Sequence, residues 1–463
     1  MPNPFELRGK RVLVVGLART GVATALFCAA RGASVTATDA RTENEIGEAI
    51  ASLRSAGISL ELGGHRENTF LEQDLIVPSP GVPADAPLLQ AACAKGVTIW
   101  SEVELADRFL QGLLIGITGS NGKTTTTSLI EHILKNAGFS TILAGNIGTP
   151  LIASVEQTSD DTITVVELSS FQLELIETFR PNISVFLNLT PDHLDRHHTL
   201  EEYARAKARI FENQTEADSA VLNADDPATT PLVPAKPQVY WFSRKQRVAQ
   251  GAFVRGSEIV FRHDGEEEAV LKLQDIPLAG AHNVENVLAA VAATRLAGAE
   301  PSAIAKGVRS FAGVEHRLEF VAEIGGVRYY NDSKATNVDA TLKALDAFPG
   351  RILIVLGGKD KGSDYTLLQR PLREKAILAL LVGAAAEKIE KQITGSVAIE
   401  RASTVERAVD IASHAARPGD VVLLAPACAS FDQFQNYEHR GRVFKELVHQ
   451  LERQAANTTS ARG

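Results

Sequence analysis

Cysteine is scarce in this chain: Cys28, Cys93 and Cys428 are the three in 463 residues, too few and too widely spaced for a disulfide framework. None falls in a Cys-x-x-Cys pair or at a metal-ligand spacing, so all three read as reduced, buried thiols. Long hydrophobic runs are absent as well. The longest, Ala376 to Ala386, is far short of the roughly 20 residues that span a bilayer. The segment Met1 to Lys10 carries charges and prolines where a signal peptide needs a basic start and an apolar stretch. A cytoplasmic location with no membrane partner is therefore expected. An excess of positive charge is also missing, since 47 Lys and Arg stand against 56 Asp and Glu, for a net charge of −9. A broad nucleic-acid surface needs the opposite balance, because such binding rests on cations that neutralise phosphates. Only a local basic pocket stays open. Fixed-period repeats and low-complexity tracts are lacking too.

What is present is the composition of a globular enzyme, 44% hydrophobic and 22% charged. At roughly 150 residues per domain, the length points to three domains. The run Arg11 to Gly16 (RVLVVG) enters a glycine turn, the helical stretch Thr20 to Arg31 follows, and a second strand, Ser34 to Thr38, ends in Asp39. Strand-like runs at Leu75 to Val77 and Val97 to Ile99 extend this βαβ opening, and Ala106 to Gly112 reads as a boundary. A second alternation takes strands at Leu113 to Thr118, Thr162 to Glu167 and Ile183 to Leu189, with helices at Thr124 to Ala137, Leu200 to Phe211 and Asn286 to Leu296. After a break at Ala312 to Arg317, a third takes strands at Arg351 to Leu356, Ala379 to Val382 and Val421 to Ala425. The expected fold class is α/β in three domains, 1–110, 111–313 and 314–463, the outer two Rossmann-like and the central one ATPase-like with a phosphate loop. Parallel sheets are expected in all three, and a frayed polar tail from Ala455.

The phosphate loop is Gly116-Ile-Thr-Gly-Ser-Asn-Gly-Lys-Thr-Thr125, set between an apolar strand and a helix. In that context backbone N–H groups and a helix N-terminus can hold phosphate, Lys123 can reach the β and γ phosphates, and the Thr124 hydroxyl can ligate Mg²⁺. The spacing departs from the strict GxxxxGK[ST] pattern, whose first glycine falls on Ile117, with Gly119 taking its part. The earlier turn, Gly16-Leu-Ala-Arg-Thr-Gly21, has Ala18 where a dinucleotide fingerprint needs its second glycine. A dinucleotide site, a purely structural turn and a nucleotide-linked substrate all remain open there, with Asp39 and Arg41 favouring the last. Glu167 ends a strand, so its carboxylate falls at the sheet edge where ligands bind and could complete a Mg²⁺ shell. By spacing alone, His193 is more often a hydrogen-bonded loop histidine, Lys207 more often a solvated helix charge and Lys361 an ordinary loop lysine.

Read together, TGSNGKTT (118–125), GNIG (145–148), VELSSFQL (166–173), NLTPDHLDRH (188–197), Tyr203 to Lys207, HNxxN (282–286), EHRLE (315–319) and NDSKATN (331–337) resemble the Mur ligase family. GGxDK (357–361) and PACASFDQF (426–434) are most similar to its D-glutamate-adding branch. The resemblance implies an ATP-dependent ligase that joins D-glutamate to UDP-N-acetylmuramoyl-L-alanine for peptidoglycan precursors through an acyl phosphate. It assigns Lys123, Glu167, His193 and Lys207 to catalysis, with Thr124, Glu167, His193 and a carbamylated Lys207 holding two Mg²⁺ ions. It implies ATP contacts at Gly119, Ser120, Asn121, Gly122, Lys123, Thr124, Thr125, Asn283, Asn286, Arg317 and Asp332. The UDP-sugar contacts it implies are Leu17, Thr20, Asp39, Arg41, Ser79, Gly81, Asn146 and Ser169. Those for D-glutamate are Lys334, Thr336, Lys361, Ser430 and Tyr437. Ala40 and Tyr437 depart from the branch's usual threonine and phenylalanine, and neither removes a charge. A monomer is expected, with a hinge near residues 312–316 that lets the domains close. The rivals are a ligase for a different amino acid, a folate polyglutamate synthetase, which lacks a counterpart of residues 1–105, and a nucleotide-binding switch.

Overall fold

Residues 5–278 and 280–460 are described by a computed structural model, and they form three sheets. The first contains β1 (Arg11–Val15), β2 (Ser34–Asp39), β3 (Ser59–Leu62), β4 (Leu75–Pro78) and β5 (Thr98–Ile99) in the order β3-β2-β1-β4-β5, with every pair parallel. Parallel neighbours need crossover connections, which the alternation of apolar runs with helices supplies. The glycine turn after β1 is shaped by packing: a Cβ on Gly21 would lie 1.8 Å from the Gly16 carbonyl oxygen, so only glycine lets the following helix approach the strand.

The second sheet holds β6 (Leu113–Thr118), β7 (Ser140–Gly145), β8 (Thr162–Glu167), β9 (Ile183–Phe186), β10 (Ser219–Asn223), β11 (Gln238–Ser243), β12 (Gly251–Arg255), β13 (Glu258–His263) and β14 (Glu266–Lys272). Their order is β14-β13-β12-β11-β10-β9-β6-β8-β7. This sheet is not wholly parallel, because β12 to β14 form an antiparallel edge. Two-residue turns cause it: Asp264 and Gly265 both have positive φ (50° and 86°), the geometry that reverses a strand within two residues. The helix Lys123–Asn136 buries Leu129, Ile130, Ile133 and Leu134 along one stripe. Against it lies the helix Pro301–Ser310, so close that a Cβ on Gly307 would sit 2.9 Å from the Ile133 Cα.

The third sheet runs β15-β16-β20-β17-β18-β19, from β15 (Glu319–Ile324), β16 (Val327–Asn331), β17 (Ile352–Gly357), β18 (Ala376–Val382), β19 (Ala398–Ser403) and β20 (Val421–Leu424). Here too one pair is antiparallel, β15 with β16, turned by Gly325 and Gly326 at φ 57° and 79°. Alternate residues of β17 serve two cores, Ile354 and Leu356 on one face and Leu353 and Val355 on the other, as a sheet covered by helices on both sides requires. The C-terminal helix, Tyr437–Ser460, runs through the stretch where the sequence suggested fraying. Cys28 and Cys428 are buried as expected, whereas Cys93 is exposed. The chain divides into two compact units, Met1–Ile276 with Val284–Phe311, and Pro277–Asn283 with Ala312–Gly463. No helix among the described residues is long and apolar enough to cross a membrane.

Candidate active site

The carboxyl ends of β6, β8 and β9 converge on one place. β6 delivers the loop of residues 119–122, where Gly119 has φ 145° and a Cβ on it would meet the Leu187 Cβ at 2.9 Å. Gly122, at φ 84°, starts the helix Lys123–Asn136, and a Cβ there would meet Asn286 Oδ1 at 2.3 Å. The segment after β9 pins the loop from the side. Ser120 N–H donates to the Asn188 carbonyl at 2.9 Å, Asn121 N–H to Asn188 Oδ1 at 2.9 Å, and Ser120 Oγ to the Thr190 carbonyl at 2.9 Å. A fixed loop ahead of a helix N-terminus is preorganised for an anion. Thr124 and Thr125 are buried at that N-terminus, and Thr126 donates to Asn286 Oδ1 at 3.3 Å.

Two lysines meet on one carbonyl. Lys123 Nζ donates to the Gly119 oxygen at 2.8 Å and Lys207 Nζ donates to the same oxygen at 2.9 Å. Lys207 is 1% exposed, so it is not the solvated charge that its helix spacing allows. Desolvation, reinforced by the Lys123 charge, holds its pKa well below the usual lysine value against the pull of Asp192 and Glu167. Glu167 is also buried: Oε1 accepts from Asn146 Nδ2 at 2.9 Å, while Oε2 has no hydrogen-bond donor. A buried carboxylate oxygen without a donor fits a cation ligand, and oxygen donors suit Mg²⁺. His193, in contrast, is half-exposed with φ 53°, its ring edge-on to Phe171 with centroids 5.0 Å apart. Tyr203 links it to the lysine, 6.4 Å from the His193 ring and 4.6 Å from Lys207 Nζ. Among the described residues no three His, Cys, Asp or Glu side chains gather as a metal cluster.

At the first sheet, Leu17, Thr20, Asp39, Arg41, Ser79 and Gly81 all fall at or just beyond the carboxyl ends of β1, β2 and β4. Asp39 accepts from Leu17 N–H at 2.6 Å and from Arg41 Nη2 at 2.8 Å. Burial opposes its ionisation, but the Arg41 side chain and the two backbone N–H groups prevail and carry its pKa down to about 2. Ser79 Oγ donates to the Gly16 carbonyl at 2.7 Å. Arg19, which sequence reasoning passed over, donates to the Gly148 carbonyl and so ties this turn to the loop that bears Asn146. Ser169 closes the other side, donating through N–H and Oγ to Gln172 Oε1 at 2.9 Å each.

In the second unit, Asp332 is buried beside Arg317. Desolvation raises its pKa to about 6, against the Arg317 charge and a hydrogen bond from Leu318 N–H. Asn283 belongs to this unit, although Asn286, one turn along the same helix, belongs to the first. Lys334 lies 5.8 Å from the Tyr437 ring centroid, and Ser333 Oγ donates to the Tyr437 carbonyl at 2.8 Å. Thr336 follows on the same loop, Ser430 is buried, and Lys361 is exposed. The loops that carry Lys361 and Ser430 pair through Lys359 and Ala429. Arg440, fully buried, donates to Ser333 Oγ at 3.0 Å and to the carbonyls of Ser333 at 2.9 Å and Cys428 at 3.2 Å. No sequence signal marks it, because an arginine on an amphipathic helix reads as solvated.

Phosphate-binding geometry on the central sheet places the chain among nucleoside-triphosphate-dependent enzymes of multidomain α/β build. Comparison with known proteins narrows this class. The Mur ligase middle domain matches residues 117–294, the Mur ligase glutamate ligase domain 316–428, and the MurD-like N-terminal domain of Mur ligases 10–101. The chain belongs to the Mur ligase family. It is 55% identical over 451 residues to a "UDP-N-acetylmuramoylalanine--D-glutamate ligase" of Koribacter versatilis, covering 97% of this chain and 99% of that one. A protein of the same name from Acidobacterium capsulatum is 56% identical, covering 96% and 97%. Among solved structures, a pseudomurein peptide ligase type C from Methanothermus fervidus has a TM-score of 0.59 at 21% identity, covering 96% of this chain and 100% of that one. A UDP-N-acetylmuramate-alanine ligase from Thermotoga maritima has a TM-score of 0.58 at 20% identity, covering 95% and 99%. These two support the three-domain α/β fold.

Proposed function

We propose that this chain uses ATP to join D-glutamate to UDP-N-acetylmuramoyl-L-alanine, forming an amide bond in peptidoglycan precursor synthesis. The observation that carries the reading is the juxtaposition of Lys123, the desolvated Lys207 and the unpaired Glu167 oxygen around the Gly119 loop, in a chain whose relatives of that name align over nearly its full length. A carboxylate does not react with an amine because oxide is a poor leaving group. The γ-phosphoryl of ATP is therefore transferred to the alanyl carboxylate, breaking its bond to the β-phosphate oxygen and giving ADP and an acyl phosphate. Lys123 and the loop N–H groups that Asn188 does not already hold offset charge on the moving phosphoryl, so catalysis is chiefly positioning and electrostatics. The amine of D-glutamate then attacks the acyl carbon, and the tetrahedral adduct expels phosphate as the nitrogen gives up a proton.

Mur ligases use ATP and Mg²⁺. Thr124, Glu167, His193 and Lys207 would hold two Mg²⁺ ions, which supply countercharge to the phosphates. Burial and the Lys123 charge shift Lys207 toward its neutral amine, the form that adds CO₂ with loss of one proton to give an anionic carbamate. Asn283, Asn286, Arg317 and Asp332 contact ATP. The first-sheet cluster with Asn146 and Ser169 receives the UDP-sugar. Lys334, Thr336, Lys361, Ser430 and Tyr437 take D-glutamate, whose two carboxylates suit cations and hydroxyls. The domains in this reading span 1–110, 111–313 and 314–463, and the enzyme works as a cytoplasmic monomer. Phosphate release from ATP and UDP-N-acetylmuramoyl-L-alanine, with each candidate amino acid supplied in turn, tests it. D-Glutamate is expected to drive release; release with L-lysine or diaminopimelate but not D-glutamate overturns the specificity.

A further inference from the structure

Two buried oxygens beside the first sheet make no hydrogen bond, Ser101 Oγ and Glu102 Oε2. They are neighbours at the start of the helix Glu102–Asp107, in the segment that leads from β5 to β6. Withdrawing a carboxylate from water with one oxygen unpaired is unfavourable, so such a group calls for an explanation. The next acid on the same helix is the contrast. Glu104 Oε2 accepts the N–H groups of Glu177, Thr178 and Phe179 at 2.8, 2.9 and 2.7 Å, and Oε1 accepts from Thr178 Oγ1 and Arg108. It is a fully satisfied anchor.

Glu102 is placed differently. Its Oε1 accepts from Ile152 N–H at 2.6 Å, and the Gln172 side chain and Leu151 N–H also face its carboxylate. Ile152 lies in the 3-10 turn Leu151–Gln157, which follows the loop of residues 145–148 directly, and Asn146 of that loop donates to Glu167 Oε1. Gln172 in turn accepts both hydrogen bonds from Ser169, two residues beyond Glu167. One carboxylate therefore stands behind both segments that flank Glu167.

We propose that Glu102 is a positioning residue for the sugar-nucleotide substrate, holding the Asn146 loop through Ile152 and the Ser169 turn through Gln172. The inference rests on the ligase reading, which assigns Asn146 and Ser169 to that substrate. Glu102 touches no reacting atom; it sets the spacing of two loops that do the touching. Burial raises its pKa to about 7 against the hydrogen bond from Ile152 and the polar groups of Gln172 and Leu151 that face it, so a neutral amide of the same shape is a fair replacement while a methyl group is not.

The test is steady-state phosphate release by the full chain, varying UDP-N-acetylmuramoyl-L-alanine, ATP and D-glutamate separately. Glu102→Ala is expected to raise KM for the sugar nucleotide roughly tenfold or more, leaving the other two KM values within about twofold, the scale on which outer contacts act on a site. Glu102→Gln is expected to recover most of the loss. Gln172→Ala should reproduce the KM split, and the double variant should be no worse than Glu102→Ala alone. Unchanged KM values in Glu102→Ala, an equal rise in all three, or a Glu102→Gln protein as defective as the alanine variant would each overturn the proposal. If Glu102→Ala does not fold, Gln172→Ala decides, and a wild-type KM there overturns it. A wild-type chain that releases no phosphate with D-glutamate defeats the ligase reading instead. Calorimetric binding of the sugar nucleotide to wild type and Gln172→Ala then judges the positioning role, equal affinities overturning it.

Discussion

A buried lysine must either find an anion or lose its proton, and Lys207 donates to a neutral carbonyl beside a second lysine. Burial and the Lys123 charge thus shift it toward its neutral form against the pull of Asp192 and Glu167, and the carbamate in our reading would turn an electrostatic liability into a ligand. Two substitutions separate charge from chemistry. Lys207→Ala is expected to lose on the order of 10²-fold or more in turnover, the scale of removing one electrostatic stabiliser, and to regain part of it when a short carboxylate such as acetate is added. Lys207→Arg keeps the length but cannot shed its charge, so it is expected to be inactive, unrescued and less stable than the alanine variant in thermal denaturation. Full activity in Lys207→Ala would remove the carbamate from the mechanism.

The loop of residues 119–122 acts as an element because its conformation and its neighbours are fixed together. Gly122→Ala places a Cβ in the left-handed region and 2.3 Å from Asn286 Oδ1, so the loop and the Asn286 side chain must both move. A rise of about tenfold in the KM for ATP is expected, with about 1–2 kcal/mol lost in chemical denaturation from the backbone conformation alone; an unchanged KM would mean that Asn286 takes no part in nucleotide binding. This loop was legible in the sequence because glycines, lysine and threonines stand at a strand-to-helix junction, a pattern with few structural uses. Strands β1, β6 and β8 were legible as short apolar runs buried on both faces. The antiparallel edge β12 to β14 carried a readable sign, Asp264-Gly265, that strand-helix alternation gave no reason to seek. Arg440 and Glu102 had no such sign. Their roles depend on which distant backbone groups the fold brings to them, and Glu102 in particular sits between the strand-like run Val97 to Ile99 and the boundary at Ala106 to Gly112.

Across the whole molecule, several buried groups oppose one another as pH changes. Glu102 and Asp107 are pushed by burial to about 7 and Asp332 to about 6, each above its ordinary value, so the folded chain binds more protons than the unfolded chain in that interval. Their contribution to stability is complete below the ordinary carboxylate values and is lost as pH rises through 6 to 7. His282, lowered by burial to about 4, and Lys207 act the other way, since the folded state binds fewer protons on them and stability grows as pH rises. Asp39 and Asp360, held at about 2 by hydrogen bonds that outweigh burial, lose their contribution only as pH falls from 3.8 toward 2. The overall slope is therefore mixed, and a difference measurement is needed to isolate one group. Thermal denaturation of wild type and Glu102→Gln from about pH 4 to about pH 8 provides it. Near pH 4 both side chains are neutral, so the curves should nearly coincide. Between the ordinary value of 4.5 and about 7 the wild type alone must deprotonate an acid that its buried site disfavours. The Glu102→Gln protein should become progressively more stable than wild type across that interval, by roughly 3 kcal/mol at the upper end. Parallel curves would show that the fold does not resist ionisation of Glu102. Divergence in stability together with a near wild-type KM for the sugar nucleotide would show that shape and hydrogen bonding at this position, and not its charge, hold the two loops.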